Sequence, residues 1–313
     1  MRFEKAAVIG TGMMGPGIAM TLAIGGVDAT ILSRTEEGAG EGLRKAQAQL
    51  ALIAANGLAP EEAAGRAAGL LHASADLNSV VPRCDLIIES APEIMSFKQD
   101  LFARLDAIAK PDAVLATNTS GLSITEIASM CSRPERVLTA HFWNPPHLMP
   151  LVELVKGEKT SDAVVEQIRA LLIHCGKTPV VLKKDRPGQL GNRLQIALVR
   201  EAMNIVQEGI ANAEDVDLAA RMGFGLRLPA YGILEHQDMV GLDLSFQVTD
   251  YITRDLLNEP GAPEILREHR DAGRLGVKSG RGFYDWSEKN AAEVRERRDR
   301  FVLEVRKRKL AGW

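Results

Sequence analysis

The sequence predicts an α/β domain with a doubly wound, mostly parallel sheet, followed by an all-helical C-terminal domain. Three observations lead to this fold class. Short β-like apolar runs alternate with Ala- and Leu-rich stretches of helical period through the first half of the 313 residues. Strand-like runs almost disappear after Pro187, and helical stretches replace them. Residues 183–188, which contain a Pro and a Gly, separate the two halves. We therefore expect a sheet domain over residues 1–184 and a helical domain over residues 185–313.

The candidate strands are the short apolar runs at residues 6–10, 29–33, 85–89, 113–117, 137–141, 150–155 and 179–182. Helical stretches in the first half lie at residues 41–55, 96–109 and 162–173. Those in the second half lie at residues 189–208, 213–222, 242–257 and 290–309. Strands that alternate with helices pair in parallel, so we expect a sheet with helices on both faces.

The first strand runs into a glycine-rich turn with the sequence GTGMMG. In the dinucleotide-binding fingerprint, Gly10 permits the tight turn, Gly12 lets the backbone approach a pyrophosphate, and Gly15 lets the helix pack close to the strand. The amino end of the helix then faces the phosphates. This spacing predicts a Rossmann-type domain that binds a dinucleotide, with Met13 and Met14 as further cofactor contacts. The alternative is a plain structural turn.

The end of the second strand favours NADP over NAD. Ser33 stands where an Asp or Glu would bind the ribose 2′-hydroxyl of NAD, and Arg34 follows directly. A carboxylate would repel a 2′-phosphate, whereas a hydroxyl and a guanidinium bind it. The alternative is that Ser33 is merely neutral and Arg34 points to solvent. In that case Glu36 or Glu37 serves NAD.

His141 and Glu153 form the candidate catalytic pair. His141 ends a strand, an Asn-Pro-Pro bend follows, and the next strand carries Glu153. We expect the bend to return the carboxylate to the imidazole. Oxidising a secondary alcohol with a nicotinamide releases a proton to a base, and histidine suits that proton near neutral pH. A carboxylate on the far ring nitrogen fixes the tautomer and stabilises the imidazolium. The alternative for His141 is a structural role.

Composition and charge are those of an ordinary globular protein. The net charge is −3 and no apolar run is long enough to span a bilayer, so we expect neither nucleic acid nor membrane partners. Residues 295–309 interleave Arg and Lys with Glu, which favours a solvated amphipathic helix over a nucleic-acid patch. The three cysteines are widely spaced, which favours a reducing cytoplasm and predicts no bound metal. The sequence leads directly into a strand, so we expect no signal peptide.

Several further motifs follow in order along nearly the whole chain. Besides the glycine turn they are ESAPE at residues 89–93, NTS at 118–120, the segment 141–153, KDRPG at 184–188 with Asn192-Arg193, DMVGLD at 238–243 and GRGFY at 280–284. Together they resemble the 3-hydroxyacyl-CoA dehydrogenase family, whose relatives include L-carnitine dehydrogenase and L-gulonate 3-dehydrogenase, also known as lambda-crystallin. The resemblance implies an oxidoreductase of fatty acid metabolism, and a homodimer formed through the helical domain.

The same resemblance implies roles for single residues. His141 looks like the catalytic base and acid, and Glu153 like its orienting carboxylate. Ser120 and Asn192 match the polar residues that hold the substrate oxygen near the nicotinamide, so all four are candidate catalytic residues. Asn144 matches the asparagine beside the active histidine, which makes it a candidate substrate-binding residue with Ser120 and Asn192.

Glu93, Lys98 and Asn118 are the remaining candidate cofactor-binding residues. Glu93 and Lys98 match positions that line the cofactor cleft of the family. Asn118 and Ser120 have an alternative role as turn residues or as a cap for a helix at residues 124–130. Asn192 can equally satisfy backbone groups at a helix start.

The chain departs from the family pattern at two positions. The family usually has an acid where Ser33 stands, and a Phe where Gln189 follows the Pro-Gly pair. The first departure puts NAD in doubt, and the second places a polar residue near the substrate.

The substrate is less well defined by the sequence. Residues 41–71 offer few basic side chains for CoA phosphates, and the NPPH bend looks closer to the branch that handles small free hydroxy acids. We expect hydride transfer at the 3-hydroxy or 3-keto carbon of a 3-hydroxyacyl-CoA or a small 3-hydroxy acid. One alternative is a free hydroxy acid such as carnitine, gulonate or a ring-bearing hydroxy carboxylate. His147, just past the bend, either faces such a substrate or lies on the surface.

Two rival functions remain open. Enzymes of the β-hydroxyacid dehydrogenase and imine reductase type use a Lys on the first helix after the sheet domain, where this chain has none. A non-enzymatic dinucleotide-binding protein with a structural or sensing role is the rival from another class.

Overall fold

The computed structural model describes residues 3–310, with the side chains of residues 309 and 310 outside that description. It divides into two compact units. One contains the chain up to Asn192 together with the chain from Arg297 onwards, and the second spans Arg193–Glu296. The sequence placed the boundary at residue 184 and assigned the end of the chain to the helical domain. In the structure, Val302 and Leu303 of the last helix pack against the core of the sheet unit.

The sheet unit is built on one eight-stranded sheet in the order β3-β2-β1-β4-β5-β6-β7-β8. The strands are β1 Lys5–Ile9, β2 Asp28–Leu32, β3 Leu71–Ser74, β4 Leu86–Glu89, β5 Val114–Thr117, β6 Val137–Phe142, β7 Leu151–Lys156 and β8 Thr178–Leu182. All neighbouring pairs are parallel except β6 and β7. Chain order reverses at the β1–β4 junction, which is the place where open α/β sheets bind ligands.

Helices connect the strands of this unit. They are α1 Gly15–Ile24, α2 Glu36–Ala55, α3 Glu61–Gly69, α4 Leu77–Val80, α5 Met95–Ile108, α6 Ile124–Ala128 and α7 Asp162–His174. The helical unit and the segments flanking it contain α8 Gly191–Gln207, α9 Ala213–Met222, α10 Phe224–Arg227, α11 Ile233–Val240, α12 Leu242–Ile252, α13 Glu264–Asp271 and α14 Ala291–Leu310.

Alternation along the strands gives the sheet two buried faces. Ala6 and Val8 of β1 belong to one apolar cluster, with Ile18 of α1, whereas Ala7 between them belongs to the other, with Phe102 of α5. The sheet is therefore covered by helices on both sides, and the predicted doubly wound α/β domain followed by helices is confirmed.

The helical unit has a different surface. Helices α9 to α13 contain no fully buried residue. Several of their large apolar side chains are exposed, among them Leu234 at 79% and Phe246 at 70%. Among the described residues, no helix is both long enough and apolar enough to cross a membrane.

Candidate active site

The glycine turn between β1 and α1 has the geometry of a phosphate cradle. Gly10 has φ +116°, and a Cβ there would lie 2.3 Å from the Ser90 carbonyl oxygen. A Cβ on Gly15 would lie 1.8 Å from the Gly10 carbonyl oxygen, so the helix packs directly on the turn. Gly12 is exposed, and a Cβ there would meet nothing within 4 Å. The turn therefore leaves open space beside its backbone.

The amino end of α1 has unused donors. Met14, which precedes the helix, forms no side-chain cap, and the first turn carries no acidic residue. The first amides of a helix have no intrahelical acceptor and attract anions. These residues fit a dinucleotide pyrophosphate. Met13 on the same turn is 76% exposed.

Ser33 and Arg34 follow β2 immediately, at the same edge of the sheet. Arg34 is exposed and makes no hydrogen bond or ion pair with the part of the chain that is described. Thr35 caps α2 by accepting from the Gly38 amide at 3.1 Å. Glu36 accepts from the Ala75 amide at 3.0 Å, so its carboxylate is held by the loop after β3.

His141 and Glu153 are direct partners across the antiparallel β6–β7 pair. His141 Nδ1 lies 2.8 Å from Glu153 Oε2, and the two side chains are 8% and 0% exposed. The pair thus forms where side chains of opposed residues on one face come together. No described residue contributes a hydrogen bond to Nε2 of His141.

Glu153 is held by more than the histidine. Trp143 Nε1 donates to Oε2 at 2.9 Å, and the amides of Leu190 and Gly191 donate to Oε1 at 2.9 and 2.8 Å. Burial alone would raise the pKa of Glu153, but these hydrogen bonds and that from His141 lower the pKa to about 2. The carboxylate is therefore ionised at neutral pH, and His141 Nδ1 is the donor of the pair.

Ser120 and Asn192 are neighbours in the structure. Asn192 Nδ2 donates to the Ser120 carbonyl at 3.0 Å, and the Ser120 amide donates to Glu93 Oε1 at 2.9 Å. The cap of α6 is Ser123, whose hydroxyl accepts from the Glu126 amide at 3.2 Å, so Ser120 does not serve that helix. Ser120 itself is exposed.

Asn118 connects three strand ends. Its Oδ1 accepts from the Phe142 amide at 2.7 Å, and its Nδ2 donates to Ser90 Oγ at 3.3 Å. Asn118 directly follows β5, Ser90 directly follows β4, and Phe142 ends β6. The side chain thus fixes the edge of the sheet at which the glycine turn and His141 both lie.

Lys98 is not open to solvent, and its partner was not among the sequence-predicted site residues. Its Nζ lies 2.6 and 2.8 Å from the two carboxylate oxygens of Glu89, and both side chains are essentially buried. Glu93, which is 44% exposed, lies 3.5 Å from the same ammonium. The ammonium of Lys98 therefore contacts both glutamates, Glu89 at the end of β4 and Glu93 in the loop that follows.

The bend after β6 contains two other predicted positions, which differ in exposure. Asn144 is exposed and precedes a cis peptide bond to Pro145. His147 is half-buried rather than on the surface, and its ring lines a cavity with Lys177 and Arg306. Desolvation lowers the pKa of His147 to about 4.

Three residues that hold Glu153 were not among the sequence-predicted site residues, namely Trp143, Leu190 and Gly191. Trp143 had a visible signal, since it lies in the motif that starts at His141. The Leu190 and Gly191 amides gave none, because backbone donors carry no residue signature. Gln189, noted as a departure from the family, is 5% exposed with φ +52°. Its Nε2 donates to the Thr119 carbonyl at 2.8 Å, while its buried Oε1 has no described partner.

Comparison with known proteins matches both halves of the chain to family models. Residues 5–186 match the NAD binding domain of 3-hydroxyacyl-CoA dehydrogenase, and residues 188–286 match the C-terminal domain of the same enzyme. A relative from Mesorhizobium japonicum, 5-formyl-3-hydroxy-2-methylpyridine 4-carboxylate 5-dehydrogenase, is 34% identical over 97% of both chains.

Two solved structures show the likeness in three dimensions. The crystal structure of a 5-formyl-3-hydroxy-2-methylpyridine 4-carboxylic acid 5-dehydrogenase, described as an NAD⁺-dependent dismutase, is 33% identical. It has a TM-score of 0.90 over 97% of both chains. An (S)-3-hydroxybutyryl-CoA dehydrogenase from Ralstonia eutropha is 29% identical, with a TM-score of 0.75 over 91% of this chain and 99% of that one.

Proposed function

The chain belongs to the 3-hydroxyacyl-CoA dehydrogenase family, and we propose that it interconverts a small free hydroxy acid and the corresponding oxo acid, with His141 as the proton-transfer residue. It is an oxidoreductase that uses a nicotinamide cofactor. The observation that carries the proposed role of His141 is the 2.8 Å contact between its Nδ1 and Glu153 Oε2.

A bound nicotinamide supplies the hydride acceptor or donor. The chain's own contribution to the chemistry is the proton. With Nδ1 donating to an ionised carboxylate, Nε2 of the neutral His141 carries a lone pair and accepts the proton of the substrate hydroxyl. Glu153 then stabilises the imidazolium, and in the reverse direction His141 returns the proton. Glu153 is a positioning residue, because it acts through the ring.

Ser120 and Asn192 are the proposed binding residues for the substrate oxygen, and Asn144, in the motif that starts at His141, is a further proposed substrate-binding residue. Their support is the 3.0 Å hydrogen bond from Asn192 Nδ2 to the Ser120 carbonyl, which places the two residues together. The Ser120 hydroxyl is exposed and accepts or donates no hydrogen bond within the described chain, so it is available to a ligand.

For the cofactor we propose NADP in preference to NAD. The dinucleotide contacts would come from the glycine turn, Met13, Met14 and Asn118, with Glu93 and Lys98 at the edge of the cleft. The support for NADP lies at the end of β2, where Ser33 replaces an acid and Arg34 is exposed without a partner among the described residues. Glu36 is already engaged by the Ala75 amide, which leaves Glu37 as the neighbouring acid. A free guanidinium beside a hydroxyl suits a 2′-phosphate.

For the substrate we propose a ring-bearing hydroxy carboxylate rather than an acyl-CoA. The likeness to the pyridine-carboxylate dehydrogenase extends over 97% of both chains with a TM-score of 0.90, against 0.75 for the CoA-dependent enzyme. Gln189 also places an amide where the family usually has a Phe. A 3-hydroxyacyl-CoA remains the second candidate, favoured by the two family models.

The helical unit is the proposed dimer interface. Its support is the set of exposed large apolar side chains on α11 and α12, since exposed apolar surface is typical of interaction sites. We also propose a cytoplasmic location, supported by three free thiols at Cys84, Cys131 and Cys175.

Turnover with two substrate classes tests the function. NADPH and NADH oxidation should be followed with small ring-bearing oxo carboxylates and, in parallel, with acetoacetyl-CoA. The proposal expects kcat/KM at least about tenfold higher for the free acids, a difference of about 1.4 kcal/mol in transition-state binding. A preference for acetoacetyl-CoA would overturn the substrate class but leave the family unchanged. Reduction that persists in His141→Gln would overturn the proposed role of His141.

A further inference from the structure

The cavity that His147 lines has a volume of about 320 Å³ and lies within the sheet unit, beside the bend that joins β6 to β7. Apolar side chains form much of its wall, namely Met20, Ile24, Ile53 and Leu58. Five basic side chains complete it: Arg66, His147, His174, Lys177 and Arg306. None of the described lining residues is acidic, and neither His141 nor Glu153 belongs to the lining.

Lys177 is the least usual of these groups because it is a buried cation without a carboxylate. It is 7% exposed, and its Nζ donates to the Met149 carbonyl at 3.1 Å and to the Pro146 carbonyl. An ammonium has three donors, so one N–H has no acceptor among the described residues. Burial lowers the pKa of Lys177 to about 7, as expected for a cation that lacks a nearby anion.

Arg306 and His147 add polar side chains to the same cavity. Arg306 Nη1 donates to the His147 carbonyl at 3.0 Å, and the buried Nδ1 of His147 has no hydrogen-bond partner in the described chain. Asp299 is the carboxylate whose charge reaches His147, but it is paired with Arg298 at 2.7 Å. Arg306 and the protonated form of Lys177 therefore have no carboxylate partner among the described residues, whereas Arg66 is paired with Glu62.

From this combination we infer that the cavity binds a short-chain organic carboxylate. The carboxylate head accepts from Lys177, Arg306 and His147, and the hydrocarbon body packs against Ile24 and Leu58. An anion here replaces the missing counter-charge of a buried lysine, which is the condition under which buried charges are tolerated. The apolar part of the wall distinguishes an organic acid from an inorganic oxyanion.

The position of the cavity connects it to the bend. Lys177 holds the carbonyls of Pro146 and Met149, which lie between the strand of His141 and the strand of Glu153. An acid bound to Lys177 would therefore contact the residue that holds the bend between β6 and β7. This position is separate from the catalytic pair.

Calorimetric titration of the full chain tests the inference, with hexanoate as the probe and hexan-1-ol and inorganic phosphate as comparison ligands. The expected result is that hexanoate binds at least about tenfold more tightly than either, because the alcohol lacks the charge and phosphate lacks the apolar body. Equal affinity for hexan-1-ol would overturn the charge argument. Equal or tighter binding of phosphate would overturn the organic-acid class.

Three variants locate the binding. Ala63→Phe adds bulk to the cavity wall without removing a charge, and Ala68→Phe adds the same bulk on the exposed side of α3. Hexanoate affinity should fall at least about tenfold in Ala63→Phe and in Arg306→Gln, and stay unchanged in Ala68→Phe. If Ala63→Phe leaves hexanoate affinity unchanged, hexanoate binds outside this cavity and the proposal is wrong.

Discussion

The Gly191 amide donates a 2.8 Å hydrogen bond to Glu153 Oε1, while the other oxygen of the same carboxylate accepts from the imidazole of the histidine opposite. Gly191 begins α8, and Asn192 is the next residue. One buried carboxylate therefore fixes both the ring of His141 and the start of the helix that carries a proposed substrate-binding residue.

The first prediction concerns Glu153→Gln. The neutral amide cannot accept at both oxygens as the carboxylate does, and it does not stabilise an imidazolium. We expect kcat to fall about 10²–10⁴-fold, in line with loss of the orienting carboxylate in other His–carboxylate enzymes, with a smaller change in cofactor affinity. Steady-state kinetics and cofactor titration measure the two quantities. Glu158→Gln, an exposed carboxylate two residues after β7, is the control that should keep normal kcat.

The second prediction is a pH dependence of stability that arises from the same residue. The pKa of Glu153 is lowered in the folded protein from 4.5 to about 2. A lowered carboxylate pKa gives stability that is present above pH 4.5 and lost as the pH falls towards 2, worth about 3 kcal/mol in total. The wild-type protein should therefore lose more thermal stability than Glu153→Gln between pH 5 and about pH 3. Parallel pH curves for the two proteins would contradict the ionised, hydrogen-bonded carboxylate.

The third prediction concerns the cofactor. Arg34→Ala removes the guanidinium proposed to bind a 2′-phosphate, so NADP affinity should fall about tenfold or more while NAD affinity stays the same. The separate variant Ser33→Asp should lower NADP affinity and raise NAD affinity relative to wild type, because the new carboxylate repels the phosphate and binds the 2′-hydroxyl. Fluorescence titration with both dinucleotides measures these changes. Wild-type protein that prefers NAD, with no effect of Arg34→Ala, would reject the NADP proposal.

The fourth prediction concerns assembly. Phe246 on α12 is 70% exposed, and a charge at this position should disrupt an apolar interface. We expect a dimer for the wild-type protein and a monomer for Phe246→Glu by light scattering. Gln247→Glu introduces a similar charge on the neighbouring residue and serves as the control. A wild-type protein that stays monomeric at micromolar concentration would remove the dimer proposal.

The sequence predicted the framework well because its signals are local. Seven apolar runs correspond to seven observed strands, and their alternation with helices implied a parallel sheet. The strand that was missed, Leu71–Ser74, has the sequence LHAS, which contains no β-branched residue. It forms because the register with β2 brings it to the edge of the sheet. Tertiary pairing overrides weak intrinsic preference here.

The site was less predictable because part of it depends on contacts that are distant in sequence. The pairing of residues 141 and 153 followed from the bend, since both strands leave it in sequence. The amides of Leu190 and Gly191 donate to Glu153, which lies 37 and 38 positions earlier in the sequence. Their side chains take no part in these hydrogen bonds, so residue type gives no signal for them. The burial of Lys98 on Glu89 was hidden for a related reason. The resemblance predicted only that Lys98 lines the cofactor cleft, because its ion pair with Glu89 at the end of β4 forms between residues that are brought together by the fold.

The most direct test of the account is the His141→Gln variant, measured for cofactor binding and for turnover in the same preparation. Removing the general base and acid should lower kcat by about 10²–10⁴-fold, while dinucleotide affinity and thermal stability stay close to wild type. Turnover within a few-fold of wild type at intact cofactor binding would contradict proton transfer by this imidazole.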